Sequence, residues 1–333
     1  MGIVMLELKI LEYVEENRDK WDKFVMDKSV NGTFLQTRHF LEYHGSRYDD
    51  SSLIFIKGND TIVAVIPACT IYEDDKKIFS AHCGSTFGGI VVADSFYNIE
   101  HMDAIVDTLN EYLKQNGYNR ADIHCTSDIF AKRNNELLYY FLFQKGYASY
   151  DELSCYVDFD KYNDDIISNF SSGRRRDYKY SLKNALEFRQ IYTDEEVRDF
   201  YNILCENLQK FDAVPVHSYE ELIEFKNERL TEDVEFYGVF NGAEMIAGSM
   251  IFLFDRQVFH TQYLAAKQEY LKLYPMNYLD TNLIQTAKYK GYRYFSFGTS
   301  TTEHGKVLNK KLAEFKEGFG TVIGINKTFV LNL

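Results

Sequence analysis

Apolar positions recur along this chain in two rhythms, one near 3.6 residues and one of two residues, and the rhythms alternate through its length. Three helical stretches end on one signature: Lys114-Gln115-Asn116-Gly117-Tyr118, Lys145-Gly146-Tyr147 and Lys290-Gly291-Tyr292. Each is followed by a short apolar run, at 121–125, 153–159 and 294–297. A glycine past a helix end takes the left-handed cap, and the residues after it begin a strand. Helices and strands alternating in this way predict an α/β fold with mixed, α+β-type sheets.

The order of elements repeats. In the first half, strands are expected at 52–56, 61–71 and 89–92, with Asn59-Asp60 as a turn, and then a helix over 99–115. In the second half, strands at 234–240, 244–254 and 258–264 precede a helix over 276–290, with Asn241-Gly242 as a hairpin signal. Between them lie a basic helix at 172–186 and two helices opened by capping boxes, Thr193 with Glu196 and Ser218 with Glu221. Two similar domains in tandem, 1–160 and 161–333, are the simplest arrangement. No Pro- or Ser-rich linker separates them, so a shared cleft is expected.

Composition narrows the class. Hydrophobic residues at 45% and charged residues at 26% over 333 residues describe a soluble protein of two ordinary domains. A net charge of −13 disfavours general binding to DNA or anionic membranes. No apolar run approaches the roughly 20 residues a membrane span needs. Residues 1–11 match neither a signal nor a transit peptide, which points to the cytoplasm. Cys69, Cys83, Cys125, Cys155 and Cys205 lie scattered without a Cys-x-x-Cys pair, and read as reduced, buried thiols. The eight histidines form no metal-ligand spacing, so no metal is expected.

Candidate chemistry concentrates toward the C-terminus. A short aromatic strand ends at Gly298, and a helix is expected from near Gly305. Leu308, Leu312, Phe315 and Phe319 recur at helical spacing as its buried stripe. Asn309 and Lys316, seven residues apart, fall on one side of it, aimed at the end of a strand. Upstream, the run Arg174-Arg175-Arg176-Asp177-Tyr178-Lys179-Tyr180-Ser181-Leu182-Lys183 sets Arg176, Lys179 and Lys183 on one helix face. Such a stripe in an acidic chain suits an anionic ligand, and guanidinium groups bind phosphate in a two-point fork. In the strand at 258–264, alternation puts His260 on one face and Tyr263 on the other. Both reach one cleft only if the strand bulges. The loop His82-Cys83-Gly84-Ser85 invites a thiol nucleophile, but adjacent residues of an extended strand face opposite ways, which argues against a His–Cys pair.

Strand, Phe-Gly, a Ser/Thr turn and a helix ending Leu-x-x-Phe-Lys-x-x-Phe-Gly together resemble the C-terminal signature of the Fem-type transferases. These are tandem-domain relatives of the GNAT N-acyltransferases, and the resemblance covers roughly residues 165–325. It implies two GNAT-like domains in tandem. It implies that Lys316 stabilises charge developing in acyl transfer. It gives Arg174, Arg176, Lys179 and Lys183 an acceptor's phosphates to bind, with Asn309 and Phe315 beside them. On the strand expected to hold the acyl donor, Tyr263 or His260 is placed to take the attacking amine's proton.

The donor loop departs from the GNAT pattern, because 267–277 contains no glycine to cradle a pyrophosphate. Pro275, Met276 and Asn277 still suit a helix start, which leaves the helix dipole for the donor. The expected function is N-acyl transfer from an activated donor, acyl-CoA, to an amine on a small or nucleotide-linked acceptor such as an amino sugar, in cell-envelope or polysaccharide biosynthesis. No permanently bound cofactor is implied. Two alternatives stand beside it: a Fem-type aminoacyltransferase drawing on aminoacyl-tRNA, and an inactive ligand-binding or scaffold protein of the same fold.

Overall fold

The computed structural model describes residues 6–210, 212–255 and 257–333. Of the N-terminal stretch weighed as a signal peptide, residues 1–5 lie outside the described residues. The chain forms two compact units, one running to Asp151 and taking in Ile325–Leu333, the other Glu152–Gly324. The sequence suggested 1–160 and 161–333. At the C-terminus, Thr328–Asn332 pair antiparallel with His124–Arg120, which places that strand in the first unit.

In the first unit, β1 (Leu8–Glu12), β2 (Leu53–Lys57) and β3 (Thr61–Ile66) form an antiparallel sheet completed by Val91–Val92. β4 (Cys69–Glu73) and β5 (Lys76–Ala81) form a hairpin whose second strand runs parallel to β6 (Arg120–His124). The single strand expected over 61–71 is therefore two strands in different sheets. Pro67 separates them, since it has no N–H to continue a ladder. Helix α1 (Ile99–Gln115) buries Met102, Ile105, Val106, Leu109 and Leu113 at helical spacing, and α2 (Glu136–Gln144) packs beside it. Gly117 and Gly146 close these helices at φ 72° and 92°.

Cys69 opens β4, Cys83 lies two residues past β5, and neighbouring hairpin strands bring their Cα atoms to 6.3 Å. The two cysteines are joined as a disulfide. The structure thus holds one disulfide and three free thiols instead of five reduced ones, so cysteine usage no longer points to a reducing compartment. Cys125 and Cys155 are free and buried, and Cys205 is free and half-buried. His82 bonds through Nδ1 to the Cys83 carbonyl, not to its sulfur.

β7 (Ala148–Asp158) leads into the second unit, where α3 (Ser172–Ser181) and β8 (Leu186–Ile191) follow. Then come α4 (Asp194–Gln209) and α5 (Tyr219–Glu224), each opened by the expected capping box. β9 (Val234–Asn241), β10 (Glu244–Phe254) and β11 (Val258–Ala266) extend β8 as an antiparallel meander, with Gly242 at φ 62° in the hairpin. Helix α6 (Pro275–Tyr289) returns the chain so that β12 (Tyr294–Thr299) runs parallel to β11. The core beneath includes Ile251, Phe259, Leu283, Ile284, Phe295 and Phe319. Last comes α7 (Lys310–Glu317). Among the described residues no helix is long and apolar enough to cross a membrane.

Candidate active site

Two local events in the second unit set the site. β11 and β12 are parallel but paired only through Val258–His260 with Tyr294–Ser296, although both strands run further. Beyond that point they make a fork. Just past it, the register of β11 slips: Ile251 faces Thr261 and Met250 faces Tyr263, so Gln262 is an extra, bulged residue. Phe252 and Met250, opposite His260 and Tyr263, share a face of β10. The bulge therefore brings His260 and Tyr263 to the same face, which unbroken alternation forbids.

Their environments differ. His260 is buried, shares a 3.0 Å hydrogen bond between Nδ1 and Ser296 Oγ, and has its pKa lowered to about 4 by burial and then by the Lys316 ammonium. It is a neutral, weakly basic imidazole, held against Gly298, where an added Cβ would come within 3.3 Å of its Cε1. Tyr263 is half-buried, and its hydroxyl lies 2.7 Å from Nδ1 of His217.

Lys316 is deeply seated. Only 4% of it is exposed, and its Nζ donates to the carbonyls of Gly298 at 3.2 Å and Thr299 at 2.6 Å, at the end of β12. Burial lowers its pKa to about 8, opposed by Cys155 and Asp280. This departs from the expected roll of the helix. α7 starts at Lys310, after a small bridge pairing Thr301–Thr302 with Val307–Leu308, so Leu308 is not helical. Leu308 and Leu312 are exposed, while Phe319 and Lys316 face inward. The roll is fixed by Phe315 stacking edge-on against Phe319 at 5.3 Å and by the two lysine hydrogen bonds. Asn309 does not accompany Lys316 into the site: its side chain caps α7, accepting from Leu312 N at 3.2 Å.

The basic helix is shorter than expected, ending at Ser181, and only one of its arginines turns inward. Arg174 lies over the Phe315 ring at 4.5 Å and donates to Asn277 Oδ1 at 2.7 Å. Two residues assigned to different ligands thus hold each other and tie α3 to the first turn of α6. Arg176 is largely exposed and pairs with Asp177 at 3.2 Å. Lys179 and Lys183 are exposed, Lys183 lying beyond the helix with its ammonium 5.2 Å from the Tyr180 ring. Met276 packs half-buried against the core, at a helix start where Tyr274 takes a left-handed φ of 58° before Pro275.

Two polar residues of the site carry no sequence motif. Asp280 is fully buried, and neither carboxylate oxygen has a hydrogen-bond partner among the described residues. Burial pushes its pKa up to about 8, against the pull of Lys316 and Arg174. Its signal was an acid four residues before Ile284 and seven before Ala287, on the apolar stripe of α6. His217 precedes a capping box in an irregular segment, and no periodicity marks it. Among the described residues, no three His, Cys, Asp or Glu side chains gather as a metal site.

Residues 172–306 match the acetyltransferase (GNAT) domain family. No curated protein matches the chain. Among solved structures, FemX superposes with a TM-score of 0.68 at 13% identity, covering 97% of this chain and 98% of that one. L-PGS from Bacillus licheniformis gives 0.58 at 15% identity over 93% of this chain and 90% of that one. A tandem GNAT protein from the clavulanic acid biosynthesis pathway gives 0.57 at 8% identity over 98% of each. The fold is thus the tandem GNAT fold shared with FemX, as the sequence resemblance implied.

Proposed function

We propose that this Fem-type, tandem GNAT-fold acyltransferase moves an acyl group from a thioester donor, acyl-CoA, to an amine on a small or nucleotide-linked acceptor such as an amino sugar. The observation that carries this reading is the fork between β11 and β12 with Lys316 behind it. Diverging parallel strands leave backbone groups of β11 unpaired on that side, and an extended donor can add to such an edge by main-chain hydrogen bonds. Two carbonyls take two of the three lysine N–H groups, and the third is available to a developing oxyanion. Tyr263, brought to the His260 face by the bulge, supplies a hydroxyl on the donor strand.

The α6 N-terminus has no glycine-rich turn, and Asn277 and Arg174 occupy each other there. Recognition of the coenzyme's phosphates then falls to the helix dipole and exposed basic residues rather than to a glycine cradle. The exposed Arg176 and Lys179, with Lys183 just past the helix, also favour a second reading, in which the donor is an aminoacyl-tRNA.

The test is direct. Purified protein is given acetyl-CoA with glucosamine or a nucleotide-linked amino sugar, and released thiol and acylated product are measured. A parallel reaction supplies charged tRNA. Product with acetyl-CoA supports the first reading. Product only with charged tRNA replaces it with the second, and no product from either donor refutes both.

A further inference from the structure

The hydroxyl of Tyr263 is held from outside its own strand. The segment 213–217 passes over it with Val214 and Val216 81% and 66% exposed, yet the next residue, His217, is 4% exposed. Its imidazole packs edge-on against Phe225 at 5.2 Å and against the Tyr263 ring at 5.8 Å. Its Nδ1 meets the Tyr263 hydroxyl at 2.7 Å. Burial pushes the Tyr263 hydroxyl to about 12, while hydrogen bonds from the His217 and Val216 backbone and the Gln262 side chain pull it down. Ser218, the N-cap of α5, fixes the chain immediately after the histidine.

A buried imidazole aimed at a half-buried hydroxyl is more than packing requires, since an apolar side chain would fill the same space beside Phe225. The pair also sits past the last paired residues of β11 and β12, where the strands have parted. His260 is nearer the base of the fork, but it is spent on Ser296 and made weakly basic by burial and Lys316. That leaves His217 as the imidazole linked to the fork through a hydroxyl.

Resting on the transfer reaction above, we propose that His217 is a positioning residue that receives, through the hydroxyl of Tyr263, the proton lost by the acceptor amine. The amine nitrogen attacks the thioester carbonyl carbon. A C–N bond forms, the C–S bond breaks, and its electron pair leaves on the thiolate. The amine proton passes to the Tyr263 oxygen as the Tyr263 proton passes to His217 Nδ1. The imidazolium then gives its proton to the thiolate or to water, restoring both side chains. The titratable group facing Tyr263 from α4 is Tyr201, which in turn feels Cys205 and Glu220.

The experiment compares wild type, His217→Asn, Tyr263→Phe and the double variant in the acetyl-CoA assay, from pH 6.5 to 9.5, with unfolding midpoints as a check on folding. Asn keeps a polar atom near the Nδ1 position and cannot take a proton. Each single variant should lose about 100-fold in kcat near neutral pH, the typical scale of general-base catalysis, with acceptor KM nearly unchanged. The loss should shrink at high pH, where hydroxide can take the proton that nitrogen sheds as the C–N bond forms, and the double variant should be no worse than either single one. Full activity in His217→Asn, a loss equal at every pH, or multiplying losses in the double variant would overturn the relay while wild-type transfer stands. If His217→Asn does not fold, Tyr263→Phe decides alone by the same pH criterion. Absence of any transfer by wild type overturns the functional reading and the relay together.

Discussion

Asp280 and Lys316 titrate against each other inside the second unit. Burial raises the carboxyl to about 8 and lowers the ammonium to about 8, and each charge opposes the other's shift. Near neutral pH a proton resides on Asp280 and Lys316 carries its charge. Buried charges otherwise cost several kcal/mol apiece, so a carboxyl without a hydrogen-bond partner among the described residues stays neutral until the pH forces it.

The consequence for stability has a definite sign. The folded state holds a proton on Asp280 between its unfolded value, 3.8, and about 8, whereas the unfolded chain has released it. The folded state binds more protons in that window, so stability falls as pH rises across it, by up to about 1.4 kcal/mol per pH unit. Lys316 acts oppositely between about 8 and 10.5, where the unfolded chain holds the extra proton. Asp280→Asn should flatten the decline between pH 5 and 8. Urea midpoints at pH 5, 6.5 and 8 measure it, and an unchanged slope in the Asn variant would refute the assignment.

The Cys69–Cys83 disulfide predicts three thiols titratable in denatured, unreduced protein and five after reduction. Breaking it by Cys83→Ser should cost about 3 kcal/mol, the chain-entropy scale for a loop of this length. Thiol counting and denaturant midpoints check both numbers. Five thiols without reductant would show the pair to be open.

Much of the fold was legible because its signals are local. Gly117, Gly146 and Gly291 all take positive φ at helix ends, and both capping boxes form. What failed depended on partners distant in sequence. Leu308 and Leu312 read as core because spacing cannot reveal that Lys316 has two carbonyls waiting at the end of β12. The disulfide needed the β4–β5 hairpin register, and Pro67 was the overlooked mark of where that hairpin begins. His260 and Tyr263 seemed exclusive until the bulge at Gln262, a property of two strands together. Asp280 was visible as an acid on an apolar stripe, and His217 was not visible at all.

The arginines of α3 separate into two kinds. Arg174 packs on Phe315 and bonds Asn277, so Arg174→Ala should destabilise the protein by about 1–3 kcal/mol through lost packing and an unsatisfied buried amide. Arg176 is exposed beside Asp177 and is proposed to meet an anionic ligand. Arg176→Ala should leave the unfolding midpoint within error and raise the acceptor KM several-fold, and added salt should weaken wild-type binding. A destabilised Arg176 variant with normal acceptor KM would reverse the two roles.

Lys316 gives the sharpest test of the chemistry. Its stem crosses the inner face of α7, and its ammonium is fixed by the carbonyls of Gly298 and Thr299. Gly298 itself sits at φ 68° and against His260, so the carbonyls cannot easily follow a displaced lysine. Lys316→Met keeps the length and apolar stem and deletes the charge. Two carbonyls lose their donor, which costs about 1–3 kcal/mol, and removal of a buried charge offsets part of this, so the variant should fold. Loss of charge that matters only as the carbonyl becomes an oxyanion should lower kcat about 100-fold or more with little change in KM. In the wild type the same charge disappears as pH rises through about 8, so kcat should fall on the alkaline side near that value, and the residual activity of the Met variant should lack this limb. A Met variant with full turnover, or one that keeps the alkaline limb, would return Lys316 to a structural role.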